Sequence, residues 1–217
     1  MSALWDALGT VVDPELDQPI TDLGFVSEAV VADGHAHVRL RLPTYFCAPN
    51  FAYLMVADAY EAVCGLPSVT SVDVRLVDHF AAEEINAGVA ASAGFTDAFP
   101  GEAVGELDEL RLVFRRKAYL ASLDRLCMRL PGTPVGMTLG DVPPSPALRS
   151  LLRRRAALGL DCSSESPLVV DEEGKAIPAE DAPLRLRYAR SVRVSIEGNA
   201  GFCRGLLHTR YPEVVGN

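Results

Sequence analysis

The order Thr44-x-x-Cys47-x-Pro49 brings a hydroxyl and a thiol together just before a stretch with helical spacing, and carboxylates stand upstream at Asp13, Glu15 and Asp22. These residue types handle metals. A thiolate is a soft ligand and a nucleophile, a carboxylate adds a harder ligand or an orienting acceptor, and a hydroxyl can donate to sulfur. Cys47 precedes a helix predicted from Asn50 to about Val63, whose dipole favours a thiolate at its N-terminus. Asp13 stands before Pro14, which pushes it out of the helical region into a forced turn with Glu15 just beyond. Asp13 reads equally as a capping or Asx-turn residue. His79, in Asp78-His79-Phe80, stands where it can add a ligand or orient one.

The elements that must position these groups follow from local patterns. Residues 2–10 predict a short amphipathic helix with Leu4, Trp5 and Leu8 on one side. Phe25–Ala32 and His37–Leu42 predict two strands joined by Asp33-Gly34, a strong hairpin signal. Val38, Leu40 and Leu42 alternate with Arg39 and Arg41, so one face is buried and one is wet. The helix after Cys47 stops at Gly65 and Pro67, and Val69–Val77 predicts a third strand. The expected fold is α+β, a helix-hairpin-helix-strand unit in which a small mixed sheet carries helices on one face, followed by a mainly helical C-terminal region. The expected boundaries are a domain over 1–80, a linker over 81–106 and an extension over 107–217.

In the extension, Leu107–Leu130 predicts a long helix with Cys127 on its apolar stripe. Ser145-Pro146 opens another, ending at Gly159, with Arg149 and Arg153 to Arg155 over its remaining surface. Residues 168–177 suggest a small hairpin. Asn199 is a candidate cap for a last helix that places Cys203 and Leu207 on one face and Arg204, His208 and Tyr211 on another. Cys203 and His208 lie about 140° apart around that helix, a poor chelate for one metal. Asn199, Cys203, Arg204 and His208 are candidates for contact with a client. Cys203 is expected in the core unless the tail folds back over Cys47.

The five cysteines at 47, 64, 127, 162 and 203 show no CxxC and no disulfide-framework spacing, as expected of reduced thiols in the cytoplasm. A helix of about fourteen residues spans about 20 Å, so Cys47 and Cys64 at its two ends cannot share a metal within one subunit. No apolar run suggests a membrane span and no leader pattern is expected. Charge is uneven. Residues 1–80 hold eleven acids against three arginines, 81–110 seven acids and no base, and 111–217 eleven acids against seventeen bases, for a net −9. The acidic front half argues against nucleic-acid binding, while the basic rear half suits an acidic protein surface, including its own front half.

Val12-Asp13-Pro14-Glu15-Leu16, Asp22-Leu23-Gly24, the hairpin, Thr44-x-x-Cys47-x-Pro49, the helix and then Gly65-Leu66-Pro67 before a strand resemble, in that order, the iron-sulfur cluster assembly domain of PaaD-type and SufT-type proteins. The resemblance covers about residues 3–80. It implies a compact α+β domain that assembles or delivers iron or iron-sulfur clusters, with the family's cysteine on Cys47, its threonine on Thr44 and its acidic pair on Asp13 and Glu15. Where members commonly carry a Trp- and Pro-containing stretch, this chain has Asp78-His79-Phe80, and a C-terminal zinc-type cysteine cluster is absent.

The leading expectation is a maturation factor rather than an enzyme. One thiolate cannot fill the four positions an iron centre usually takes, so Cys47 would hold its cargo transiently with ligands borrowed from a second subunit, a small thiol or a client. The expected partners are a client apo-metalloprotein, such as a di-iron monooxygenase, a chaperonin or other assembly factors, and a second copy in a homodimer. The alternative is a metal-free adaptor that binds a client. A thiol enzyme is a third reading, for which no histidine is placed by sequence to activate Cys47.

Overall fold

Asp33 and Gly34 take φ of 51° and 81°, the paired positive values of a two-residue turn whose twist matches the strands it joins. The strands are β3 (Val26–Ala32) and β4 (His35–Arg41), paired antiparallel with a bulge between Val26 and Glu28. The structure, a computed structural model, describes residues 2–91 and 106–212, with the backbone alone at 106–108. Ahead of the hairpin come α1 (Ala3–Leu8) and the two-residue strands β1 (Val12–Asp13) and β2 (Gln18–Pro19), paired with each other. After it come α2 (Pro49–Cys64), β5 (Ser71–Val77) and α3 (Ala82–Ala90).

β5 pairs parallel with β4, so β4 is central in a three-stranded mixed sheet. Ala36, Val38 and Leu40 of β4 and Val74 and Leu76 of β5 turn inward onto Ala52, Val56, Ala59 and Val63 of α2. On the other face Asp73 accepts from Arg39 at 2.9 Å and Arg75 at 2.8 Å. Burial raises the Asp73 pKa, but the two guanidinium bonds outweigh it and the carboxyl ends below its ordinary value. One apolar and one charged face is what the alternation in β4 predicts. Trp5, expected on the apolar side of α1, is 36% exposed, while Leu4 and Leu8 are buried.

The start of the predicted linker is structured. In α3, Ile85 and Val89 join the same core, and the Asn86 side chain accepts from Leu76 N–H and donates to Leu76 C=O along the outer edge of β5. Residues 92–105 of that linker lie outside the described residues.

Two compact units result: the residues through Glu109 together with those from Asn199, and Leu110–Gly198. The second unit takes most of α4 (Glu106–Cys127), all of α5 (Pro146–Ala157) and the first part of α6 (Ala182–Arg210). Tyr119, Leu123, Leu126, Leu151, Leu168 and Val170 lie in its core. Ser145 caps α5 by accepting from Leu148 N–H, as its sequence predicts. Arg155 is not on the wet face of that helix. It is fully buried, donating to Pro167 C=O and Ser166 Oγ. Residues 168–177 keep only a single antiparallel bridge, Val170 to Ala176, around a tight turn.

Asn199 does not cap a helix. It lies inside the 29-residue α6, and its side-chain amide donates to Glu15 Oε1 at 3.2 Å. Ala200 and Leu207 are buried in the first core, with Cys203 and Tyr211 packed against it. Tyr211 therefore shares a side with Cys203, while Arg204 and His208 are exposed.

Candidate functional site

Cys47 stands one residue before Ala48, the extended residue preceding Pro49, which begins α2. Extension at Ala48 is what a following proline imposes, and it lifts Cys47 off the helix into the loop. Thr44 closes that loop. Its hydroxyl accepts from Phe46 N–H at 3.3 Å and lies 3.3 Å from Cys47 Sγ, so its own proton is free to point at sulfur.

His79 holds the loop from the other side. Its Nε2 meets Cys47 O at 2.7 Å and its Nδ1 meets Ala81 N at 3.2 Å. A carbonyl only accepts and an amide only donates, so the proton sits on Nε2 and Nδ1 carries the lone pair. Burial, with the Arg210 charge adding to it, lowers the His79 pKa and keeps the ring neutral. Both ring nitrogens are thus committed to backbone groups. His79 positions Cys47 through its carbonyl and does not touch the sulfur.

Asp13 sits at the forced turn that Pro14 imposes, and it is only 6% exposed. Its Oδ1 accepts from Glu15 N–H at 2.9 Å and Leu16 N–H at 2.7 Å, an Asx-type turn. Burial outweighs those bonds and, with the Glu15 charge adding to it, raises its pKa to about 6. Among the described residues no cation offsets the burial. Glu15 is half-buried beside it, held by Asn199. Asp22 is exposed and bonded by the neighbouring Thr21 hydroxyl; Gly24, two residues on, takes φ 76°, which explains a glycine there.

These groups meet in one cavity of about 190 Å³, lined by Asp13, Glu15, Cys47 and Cys203 over a floor that includes Phe25 and Met55. Thr44 and His79 support it from behind Cys47; Asp22 and His208 are not part of its lining. Cys203, expected in the core unless the tail folds back over Cys47, packs against the first core, and the tail does fold back. Burial, with the charges of Asp13, Cys47 and Glu15 adding to it, pushes the Cys203 thiol up to about 11. The tail is tied down along its length. Arg204 donates to Gln18, Arg210 donates to Leu42 O at 3.1 Å, and Tyr211 donates to Asp78 Oδ2 at 2.9 Å.

Tyr45, Phe46 and Phe80 flank Cys47 on the outside. They are 47%, 77% and 48% exposed, with ring centroids 5.0 to 6.3 Å apart. Three large rings left in water at one spot form a surface patch of the kind that marks contact sites.

Fold and site together define a small α+β domain that presents a loop thiol to a mostly apolar cavity carrying two carboxylates. The family model for iron-sulfur cluster assembly proteins matches residues 2–74. Residues 2–74 are thus an iron-sulfur cluster assembly domain by that match, which supports a general role in cluster assembly. The match takes in Asp13, Glu15, Asp22, Thr44 and Cys47 and stops before His79, Cys203 and the second unit. No curated protein matches the chain. No described helix is long and apolar enough to cross a membrane.

Proposed function

We propose that the protein holds iron or a nascent iron-sulfur cluster at Cys47 and passes it to a client apo-metalloprotein. The observation that carries this is the loop thiol itself, half-exposed, with a hydroxyl proton free to meet its sulfur and acidic groups across a small cavity. Metal is cargo here. Thiolate ligation suits iron, and an incomplete ligand set suits release, because the recipient can supply the missing positions. Thr44 and His79 are positioning residues: one donates to the sulfur, the other fixes the carbonyl of the same residue. Asp13 and Glu15 supply negative charge that draws a cation into the cavity.

The recipient seats on Tyr45, Phe46 and Phe80, since a ligand can pass directly only to a protein docked beside Cys47. The outer side of α6, with exposed His208, extends that contact. A di-iron monooxygenase is the client class we favour, with a chaperonin or further assembly factors and a second copy of the chain as companions. On this reading the protein is a cytoplasmic carrier rather than a catalyst.

Anaerobic reconstitution with iron and sulfide tests the proposal. The wild type is expected to gain sulfur-to-iron charge-transfer absorption, and Cys47→Ala is expected to gain at most a small fraction of it. If neither protein takes up iron yet both still bind and activate a client, the carrier reading fails and a metal-free adaptor replaces it.

A further inference from the structure

Cys203 reaches the Cys47 cavity from the far end of the chain, and its placement is fixed on every side. Ala200 and Leu207, on the same side of α6, are 1% and 3% exposed in the first core, which sets the rotation of the helix about its axis. The Asn199 bond to Glu15 and the Arg204 bond to Gln18 hold the turn on either side of it, and the Arg210 and Tyr211 bonds hold the end. Cys203 packs against the first core, as a cysteine serving as a small hydrophobe does, but it is only half-buried there. It opens onto a cavity shared with a second thiol and two carboxylates, one of them the buried Asp13, whose Oδ2 has no hydrogen-bond partner among the described residues.

We propose that Cys203 is a second protein ligand for the metal cargo, so that the chain itself grips a thiophilic divalent ion, or one iron of a cluster, through Cys47 and Cys203. The inference rests on the proposed function, because it takes the cavity to be the place where metal is carried. Each thiol loses its proton to solvent as its sulfur-metal bond forms, and no electron changes hands. Among the described residues no three His, Cys, Asp or Glu side chains form a group that could hold a metal. A four-coordinate centre gripped by two thiolates thus keeps two positions for sulfide or for the recipient's ligands. The grip is firmer than one cysteine gives, and the hand-off stays open.

Cobalt(II), added anaerobically to the full-length chain, reads the number of thiolates through its sulfur-to-metal charge-transfer absorption. Wild type is expected to give about twice the absorbance per bound metal of Cys47→Ser or Cys203→Ser, and the double variant none. Bound metal is also expected to slow alkylation of both Cys47 and Cys203 in the wild type, with exposed Cys64 and Cys162 as internal controls. That second readout needs no variant and stands if Cys203→Ser fails to fold. Full absorbance in Cys203→Ser, or a Cys203 that metal does not protect, overturns this inference and leaves the Cys47 reading intact. No cavity-dependent band in the wild type, or the same band in all four proteins, overturns both.

Discussion

Asp13 in the first unit and Arg155 in the second are both buried, at 6% and 0% exposure, yet their surroundings differ in kind. Arg155 gives its two terminal nitrogens to a carbonyl and a hydroxyl of the 166–167 segment and ties that segment to α5. Asp13 gives one oxygen to its own turn and opens onto a cavity with two thiols. The first arrangement explains structure alone. The second leaves charge and sulfur in a shared space, which packing does not require. Partner groups, rather than burial, separate a strut from a site.

The largest expected effect is at the strut. Arg155→Ala opens a hole and orphans Ser166 and Pro167, at a cost of about 3 kcal/mol or more in unfolding of the second unit. Urea titration followed by circular dichroism measures it. The alkylation rate of Cys47 is expected to stay at the wild-type value, and a change there breaks the distinction between the two regions.

Asp13 sharpens it next. Its folded pKa of about 6 lies above the ordinary 3.8, so the folded state prefers the protonated acid. That contribution is fully present below about pH 4 and is lost as pH rises through about 6, with a ceiling of about 3 kcal/mol from the size of the shift. Asp13→Asn keeps the carbonyl that accepts from Glu15 and Leu16 and removes the charge. Its urea midpoint is expected to lack the wild-type fall between pH 4 and 7; an identical fall in both proteins would mean that Asp13 is not the group responsible.

The smallest effect concerns the tail. Tyr211→Phe removes one hydrogen bond to Asp78, worth about 1 kcal/mol, and is expected to raise the alkylation rate of Cys203 by loosening the end of α6. An unchanged rate would show that Arg210 and the buried Ala200 and Leu207 hold the helix without it.

What the sequence discloses and what it hides divide along the same line. The Asp33-Gly34 hairpin, the helix after Pro49, the Asp13 turn and the Ser145 cap are readable because each is set by neighbours within a few residues. The buried and wet faces of β4 follow from its alternation, whereas its parallel pairing with β5 does not. Asn199 and Arg155 are misread for the opposite reason, and Cys203 is read as core with a fold-back over Cys47 left open. A polar residue after Gly198 resembles a helix start, but burial of Ala200 and Leu207 carries α6 straight through it, and the Asn199 amide turns to Glu15 instead. Nothing within reach of Cys203 in sequence signals that Cys47 is its neighbour. Arg155 looks solvated beside Arg153 and Arg154 because helical spacing gives no sign that the 166–167 segment covers it. His79 looks like a ligand by type, yet its two nitrogens are taken up by backbone groups that only the fold supplies.

The central claim is that metal is held by the thiols of the first unit's cavity and by no others. Iron bound per chain after anaerobic reconstitution, measured in five single Cys→Ser variants, tests it most directly. The account predicts a large loss in Cys47→Ser, a smaller loss in Cys203→Ser, and wild-type loading in the variants at Cys64, Cys127 and Cys162. Full loading in Cys47→Ser, or loss of iron on replacing Cys127 or Cys162 of the second unit, would contradict it.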